Sequence, residues 1–123
     1  MSERVPDLHI CITCRAGHEV HEGDTVAGQR LHDAIASLLG EAAPVTLRTV
    51  ACLANCDRGC SAAITAPGKW SYLLGGLSDA VAADLLTYGA AYAASRNGTV
   101  MPSKRPASLA SAVIGRLPGQ DMP

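Results

Sequence analysis

Five cysteines in two short groups constrain this chain more than any other feature. They are Cys11-Ile-Thr-Cys14 and Cys52-Leu-Ala-Asn-Cys56-Asp-Arg-Gly-Cys60, with no cysteine elsewhere in 123 residues. Sulfurs with two or three residues between them come within reach of one ion, and two such groups on different loops can close a four-sulfur cage. A fold that uses them together must bring the two loops side by side.

The sequence between the groups supplies a way to do this. Leu8, Ile10 and Ile12 alternate with His9 and Cys11, the period of a half-buried strand, so Cys11 falls at a strand end before a polar, glycine-containing loop from Thr13 to Asp24. Asp24 or Thr25 is placed to cap a helix whose inward residues are Val26, Leu31, Ile35, Leu38 and Leu39, with Gly40 as its stop. After Pro44, the run from Val45 to Val50 reads as a second strand, with Val45 and Leu47 on one face, and it leads directly into Cys52. A helix crossing between two strands makes them parallel neighbours. Both cysteine groups then lie at the same ends of adjacent strands.

Ala62–Thr65 and Lys69–Leu74 flank Ala66-Pro67-Gly68, the chemistry of a type II hairpin turn. Ser78 is placed to cap a second helix carrying Val81, Leu85, Tyr88 and Tyr92 and ending near Asn97-Gly98. The expected order is β-α-β-β-β-α, a thioredoxin-like α/β layout with a mixed four-stranded sheet over residues 1–98. Beyond it, Pro102, Pro106 and Pro118 interrupt any regular period, so residues 99–123 read as a C-terminal extension with one short helical turn around Leu109, Val113 and Ile114. There is no Phe and 48% of the residues are apolar, which leaves Leu, Ile, Val and Ala to build the core, with Trp70 and Tyr72 as anchors.

A net charge of -1 with scattered Lys and Arg argues against nucleic acid as a partner. The first ten residues hold Glu3, Arg4, Asp7 and His9 and no secretory apolar core, and no apolar run is long enough to span a membrane, so a cytoplasmic setting is expected. Structural disulfides are disfavoured there, and five cysteines cannot all pair within one chain. His18-Glu-Val-His21-Glu22 fails as a metalloprotease motif because its histidines are three apart in a loop instead of four apart on a helix. His9 and His32 default to surface or edge positions. No catalytic triad, phosphate loop or carboxylate pair is present, so an electron carrier or metal-binding protein is expected in place of an enzyme.

The strand ending in Cys11, the helix, the strand entering Cys52-Leu-x-x-Cys56 and the hairpin through Gly68-Lys-Trp70-x-Tyr72 resemble the thioredoxin-like two-iron ferredoxins. More closely, Cys11-x-x-Cys14-Arg15, Cys52-Leu-x-Asn-Cys56-x-Arg58-Gly-Cys60 and Arg105-Pro106 resemble an uncharacterised bacterial family of small predicted metal-binding proteins, often encoded among cobalamin-biosynthesis genes. The resemblance implies a 2Fe-2S cluster for one-electron transfer or redox sensing, a redox partner protein, and allows a homodimer. It carries Cys11, Cys52 and Cys56 over as ligands. The fourth position falls to Cys14, which lies on the same loop as Cys11, or to Cys60 in its place, and the cysteine left over is expected to be a small buried apolar residue.

Zinc or cobalt on the same thiolates is the alternative, since soft sulfur ligands suit either. A thiol-disulfide oxidoreductase using Cys11 and Cys14 is a further one, disfavoured by the long loop between Cys14 and the helix start. Arg15 and Arg58 flank the two groups, where they would favour the reduced, more negative form of a cluster.

Overall fold

The computed structural model describes residues 5–15, 23, 25–40, 43–55 and 58–119. Its frame is one mixed sheet of five strands in the order β2-β1-β3-β4-β5, where β1 is Asp7–Cys11, β2 Thr46–Val50, β3 Ala62–Thr65, β4 Ser71–Leu74 and β5 Val113–Leu117. Strands β1 and β2 run parallel, with Cys11 opposite Val50. All other neighbours are antiparallel.

The crossover helix α1 (Ala27–Leu38) joins β1 to β2, and α2 (Ala82–Ala94) follows β4. Alternation along the central strands decides which face the helices cover. Leu8 and Ile10 of β1, Ala62 and Ile64 of β3, and Tyr72 and Leu74 of β4 are all buried, as a pleat that points every second side chain to one face requires. Leu31 and Ile35 of α1 and Leu85, Tyr88 and Tyr92 of α2 close that core from above. Tyr88 and Tyr92 are its largest fully buried side chains, and Tyr72 meets Tyr92 edge to face at 6.4 Å between ring centres. Trp70 is only partly buried and lies beneath the Arg116 guanidinium, 3.9 Å from its ring centre.

The hairpin forms where Pro and Gly predict it. Lys69 N–H donates to Ala66 O at 3.3 Å, and Gly68 has φ +75°, the left-handed conformation a type II turn needs at that position. Strand β4 starts at Ser71 and not at Lys69, because Trp70 N–H is taken by Asn97 O at 2.9 Å. The Lys69 ammonium crosses to α2 and donates to the terminal carbonyls of Tyr92 and Ala93, a side-chain cap on a helix that ends three residues before Asn97.

Helix starts differ from their expected form. Val26 occupies the first cap position of α1 with no side-chain cap bond, and Asp24 lies outside the described residues. Ser78 is extended and its hydroxyl makes no cap bond; a single 3-10 turn, Asp79–Val81, leads into α2 instead. At the far end of α1, Leu38 is 52% exposed and Leu39, already extended, packs inward in its place.

The expected four-stranded sheet is corrected to five strands. Pro102 and Pro106 initiate two 3-10 turns, Pro102–Lys104 and Ala107–Leu109, which bury Val100 and Leu109 and return the chain to the free edge of β4. There Ser71, Tyr72, Leu73 and Leu74 pair with Leu117, Arg116, Gly115 and Val113, with a bulge that leaves Ile114 over. Val113 and Ile114 are thus strand residues, and only Leu109 is helical. Among the described residues no helix is long and apolar enough to cross a membrane.

Candidate functional site

Three strand ends meet at the sulfurs. Beyond the parallel pair, Ile12 N–H donates to Val50 O at 3.0 Å, and Cys11 N–H donates to Ser61 O at 3.1 Å on the other side. The C-terminal ends of β1 and β2 and the start of β3 therefore share one corner, as a βα crossover followed by an antiparallel return dictates. Cys11 is 4% exposed, and its thiol donates to Ala51 O at 3.7 Å. The Thr13 hydroxyl donates to the same carbonyl, so the loop after β1 is tied to the loop after β2.

The loop from Cys11 to Cys14 lies beneath the first turn of α1. Gly28 N–H donates to Cys14 O at 2.9 Å, and a Cβ at position 28 would collide with the Cys11 carbonyl. Only glycine lets the helix sit this low. The long loop before α1 suggests a helix start far from the cysteines, and the contact at Gly28 corrects that: the N-terminal turn of α1 rests on them.

Cys60, fully buried, enters the same corner from the β3 side. Its N–H and carbonyl exchange hydrogen bonds with Leu77 at 3.0 Å each, just ahead of the turn into α2. The Cys14 and Cys11 thiols are close enough to act on its own. Burial first, then the neighbouring Cys14 and Cys11, push the Cys60 thiol up to about 12, against a smaller opposing pull from the Arg30 guanidinium. Cys60 in this state is a protonated thiol.

Cys52 stands apart from this trio. It is exposed, and its sulfur accepts the Ala54 N–H at 3.2 Å in a tight loop where Ala54 has φ +57°. Asn55 braces the return of that loop: its amide donates to the buried Ser61 hydroxyl at 3.0 Å and to Arg58 O at 3.4 Å. Gly76 N–H also donates to Arg58 O. Cys56 lies outside the described residues, as do His18 and His21.

The corner thus gathers Cys11, Cys14 and Cys60, all within 5% exposure, and leaves Cys52 at its rim. Among the described residues no three His, Cys, Asp or Glu side chains come close enough together to hold a metal ion. The donor set has the right chemistry for a soft ion, three buried thiols with a fourth exposed on the next loop, but the described residues are not drawn into a cage. Arg15 and Arg58 are both exposed, and the cation acting on Cys60 is Arg30. His9 pairs with Thr65 across the sheet at 3.1 Å, and His32 with Asp33 at 3.1 Å on α1.

Sequence reasoning overlooked Gly28, Arg30, Asn55 and Ser61. A glycine two residues into an amphipathic helix was the available sign of close packing, and an Asn inside the cysteine run was the sign of a loop brace. Nothing in the spacing marks Arg30, which lies far from every cysteine along the chain.

No curated protein and no solved structure matches the chain. Residues 8–119, from the first buried side chain of β1 to two residues past β5, match the model of a family described as "Protein of unknown function (DUF1636)", and the chain belongs to that family.

Proposed function

We propose that the chain holds a metal centre through cysteine thiolates, and that this centre is a 2Fe-2S cluster serving one-electron transfer or redox sensing. The observation that carries the reading is the convergence of Cys11, Cys14 and Cys60 at one corner of the sheet, with the Cys52 loop tied to it through Ala51. The strand order β2-β1-β3-β4, with only the β1–β2 pair parallel, supports a thioredoxin-like, ferredoxin-type reading of the scaffold. Cys11, Cys14, Cys52 and Cys56 are the first candidates to hold the cluster, with Cys60 the alternative to Cys14. When bound, a cluster of this type supplies one-electron redox chemistry. The protein supplies sulfur ligands, keeps water from the inner thiols by burial, and places Arg30 where its charge favours thiolate over thiol at Cys60. A redox partner protein in the cytoplasm would exchange the electron.

The test is purification without air, followed by the visible spectrum and analysis of iron, acid-labile sulfide, zinc and cobalt. Equal iron and sulfide with charge-transfer bands is the expected result. A colourless protein with one zinc would replace the cluster by the zinc or cobalt reading, in which the same thiolates serve a structural site or metal delivery, with a link to cobalamin metabolism implied by the resemblance. A second reading has its own observation: the first turn of α1 rests on the Cys11–Cys14 loop, the arrangement of a thiol-disulfide oxidoreductase. A metal-free protein whose Cys11 and Cys14 cycle between thiol and disulfide would favour it.

A further inference from the structure

Ser61 is buried at 1% exposure, and its hydroxyl bonds one residue twice. The Asn55 amide N–H donates to Ser61 Oγ at 3.0 Å, and the Asn55 carbonyl accepts the Ser61 O–H at 3.4 Å. The same amide donates to Arg58 O, while Arg58 N–H returns to Asn55 O at 3.1 Å. Side chain and backbone of Asn55 thus close a ring of bonds between residues 55 and 61. On its other side Gly75 leaves room for it: a Cβ there would stand 2.7 Å from the Asn55 amide nitrogen and 2.8 Å from Arg58 O. Two cysteines take their place from this clasp. Cys60 immediately precedes Ser61, whose carbonyl accepts Cys11 N–H at 3.1 Å. Cys52 Sγ accepts the N–H of Ala54, the residue before Asn55, which is held at φ +57°. A residue with a Cβ rarely takes that left-handed conformation and keeps it only where its surroundings enforce it.

We propose that Asn55 is the positioning residue of the cysteine corner: through Ser61 it fixes Cys60, and through Ala54 it fixes Cys52, so that both sulfurs stand in place before an ion arrives. Asn55 is not a ligand in this role. Groups that orient the ligands of a metal by hydrogen bonds carry about 10–100-fold of its affinity, and Asn55 supplies that share here. The clasp itself stands apart from the proposed metal centre; its effect on metal affinity rests on that reading. Truncating Asn55 leaves the buried Ser61 hydroxyl with only the backbone carbonyl at 3.4 Å and takes the amide donor from Arg58 O. A half-satisfied polar group in a buried place is costly, so the chain between 55 and 61 then samples other arrangements in which Cys60 opens to solvent.

Two readouts on the reduced chain test this. In metal-free protein, alkylation followed peptide by peptide in mass spectrometry reports how often Cys60 opens to solvent. Asn55→Ala is expected to speed labelling of Cys60 about fivefold or more, the weight of one hydrogen bond in a local opening. Tyr92→Phe, which removes the bond to Trp70 O near the far end of α2, is expected to leave that rate unchanged. Unchanged labelling in Asn55→Ala, or equal acceleration in both variants, would overturn the clasp. Cobalt(II), titrated against a competing chelator and read by thiolate-to-cobalt absorption, tests the consequence. Affinity is expected to fall about 10–100-fold in Asn55→Ala and in Ser61→Ala, no further in the double variant, and not at all in Tyr92→Phe. Additive losses, or wild-type affinity in Asn55→Ala, would refute the positioning role. If Asn55→Ala does not fold, Ser61→Ala decides both readouts. A wild-type chain without cobalt absorption would sink the metal reading and the affinity claim with it, leaving the clasp to be judged by the labelling.

Discussion

Gly28 joins the helix to the sulfur corner, and its missing side chain is a packing requirement. In an ordinary helix Gly→Ala stabilises by about 1 kcal/mol through propensity. Here the added methyl meets the Cys11 carbonyl beneath it. Overpacking against fixed backbone costs about 1–3 kcal/mol, so Gly28→Ala is expected to lower stability in denaturant titration despite its better propensity. A gain in midpoint would show that α1 does not rest on the loop.

Two buried tyrosines make a paired test of hydrogen bonding. Tyr92 OH donates to Trp70 O at 2.6 Å, whereas Tyr88 OH has no partner among the described residues. Removing a made bond costs about 1 kcal/mol, and removing an unmade buried hydroxyl costs little or stabilises. Tyr92→Phe is therefore expected to destabilise, and Tyr88→Phe to leave stability equal or higher, in the same equilibrium unfolding experiment.

Among the elements, β5 has the most to reveal. Its four cross-strand pairs with β4 and the stacking of Arg116 on Trp70 are each worth about 0.2–1 kcal/mol. A chain ending at Ala112 should therefore lose about 1–5 kcal/mol and expose the edge of β4. Size-exclusion chromatography would then show more association than the full chain does. An unchanged denaturation midpoint would mean that β5 does not hold the sheet.

This strand was the one the sequence concealed. Strands β1 to β4 declare themselves by alternation, by β-branched residues or by the Pro-Gly turn, and the parallel β1–β2 pair follows from the crossover alone. In β5 the bulge at Ile114 and the small Gly115 break the alternation, and the prolines around it resemble a tail. The two strand ends at Cys11 and Cys52 were legible because one connection rule fixes them. The arrival of Cys60 beside the loop after β1 was not, since it depends on β3 returning antiparallel beside β1 and on Gly28 admitting the helix.

For the whole molecule, the buried acids set the alkaline limit of stability. Burial is the leading cause that lifts Cys60 from 9.0, and Tyr88 and Tyr92 from 10.0, each to about 12. The folded chain holds these protons more tightly than the unfolded chain. Their contribution is thus fully present below pH 9, and is lost as pH rises toward 12. Each group adds a slope of about -1.4 kcal/mol per pH unit within its own window. Metal-free protein is expected to hold its urea midpoint up to pH 9 and lose it steeply above pH 10, with a shallower loss in Tyr88→Phe. A flat midpoint to pH 12 would contradict the burial of these side chains.

The paired hydrogen bonds between Cys60 and Leu77 carry the chemistry of the corner outward. On one side the sulfur loop supports the start of α1 through Gly28; on the other, Cys60 is clasped to the residue that precedes the turn into α2. Both helices are thereby hinged on the same few cysteines from opposite ends of the sequence. A change of state at sulfur would be felt as a change in how firmly each helix begins, so amide protection at Gly28 and Leu77 could serve a partner, or an experimenter, as a remote gauge of what the cysteines hold.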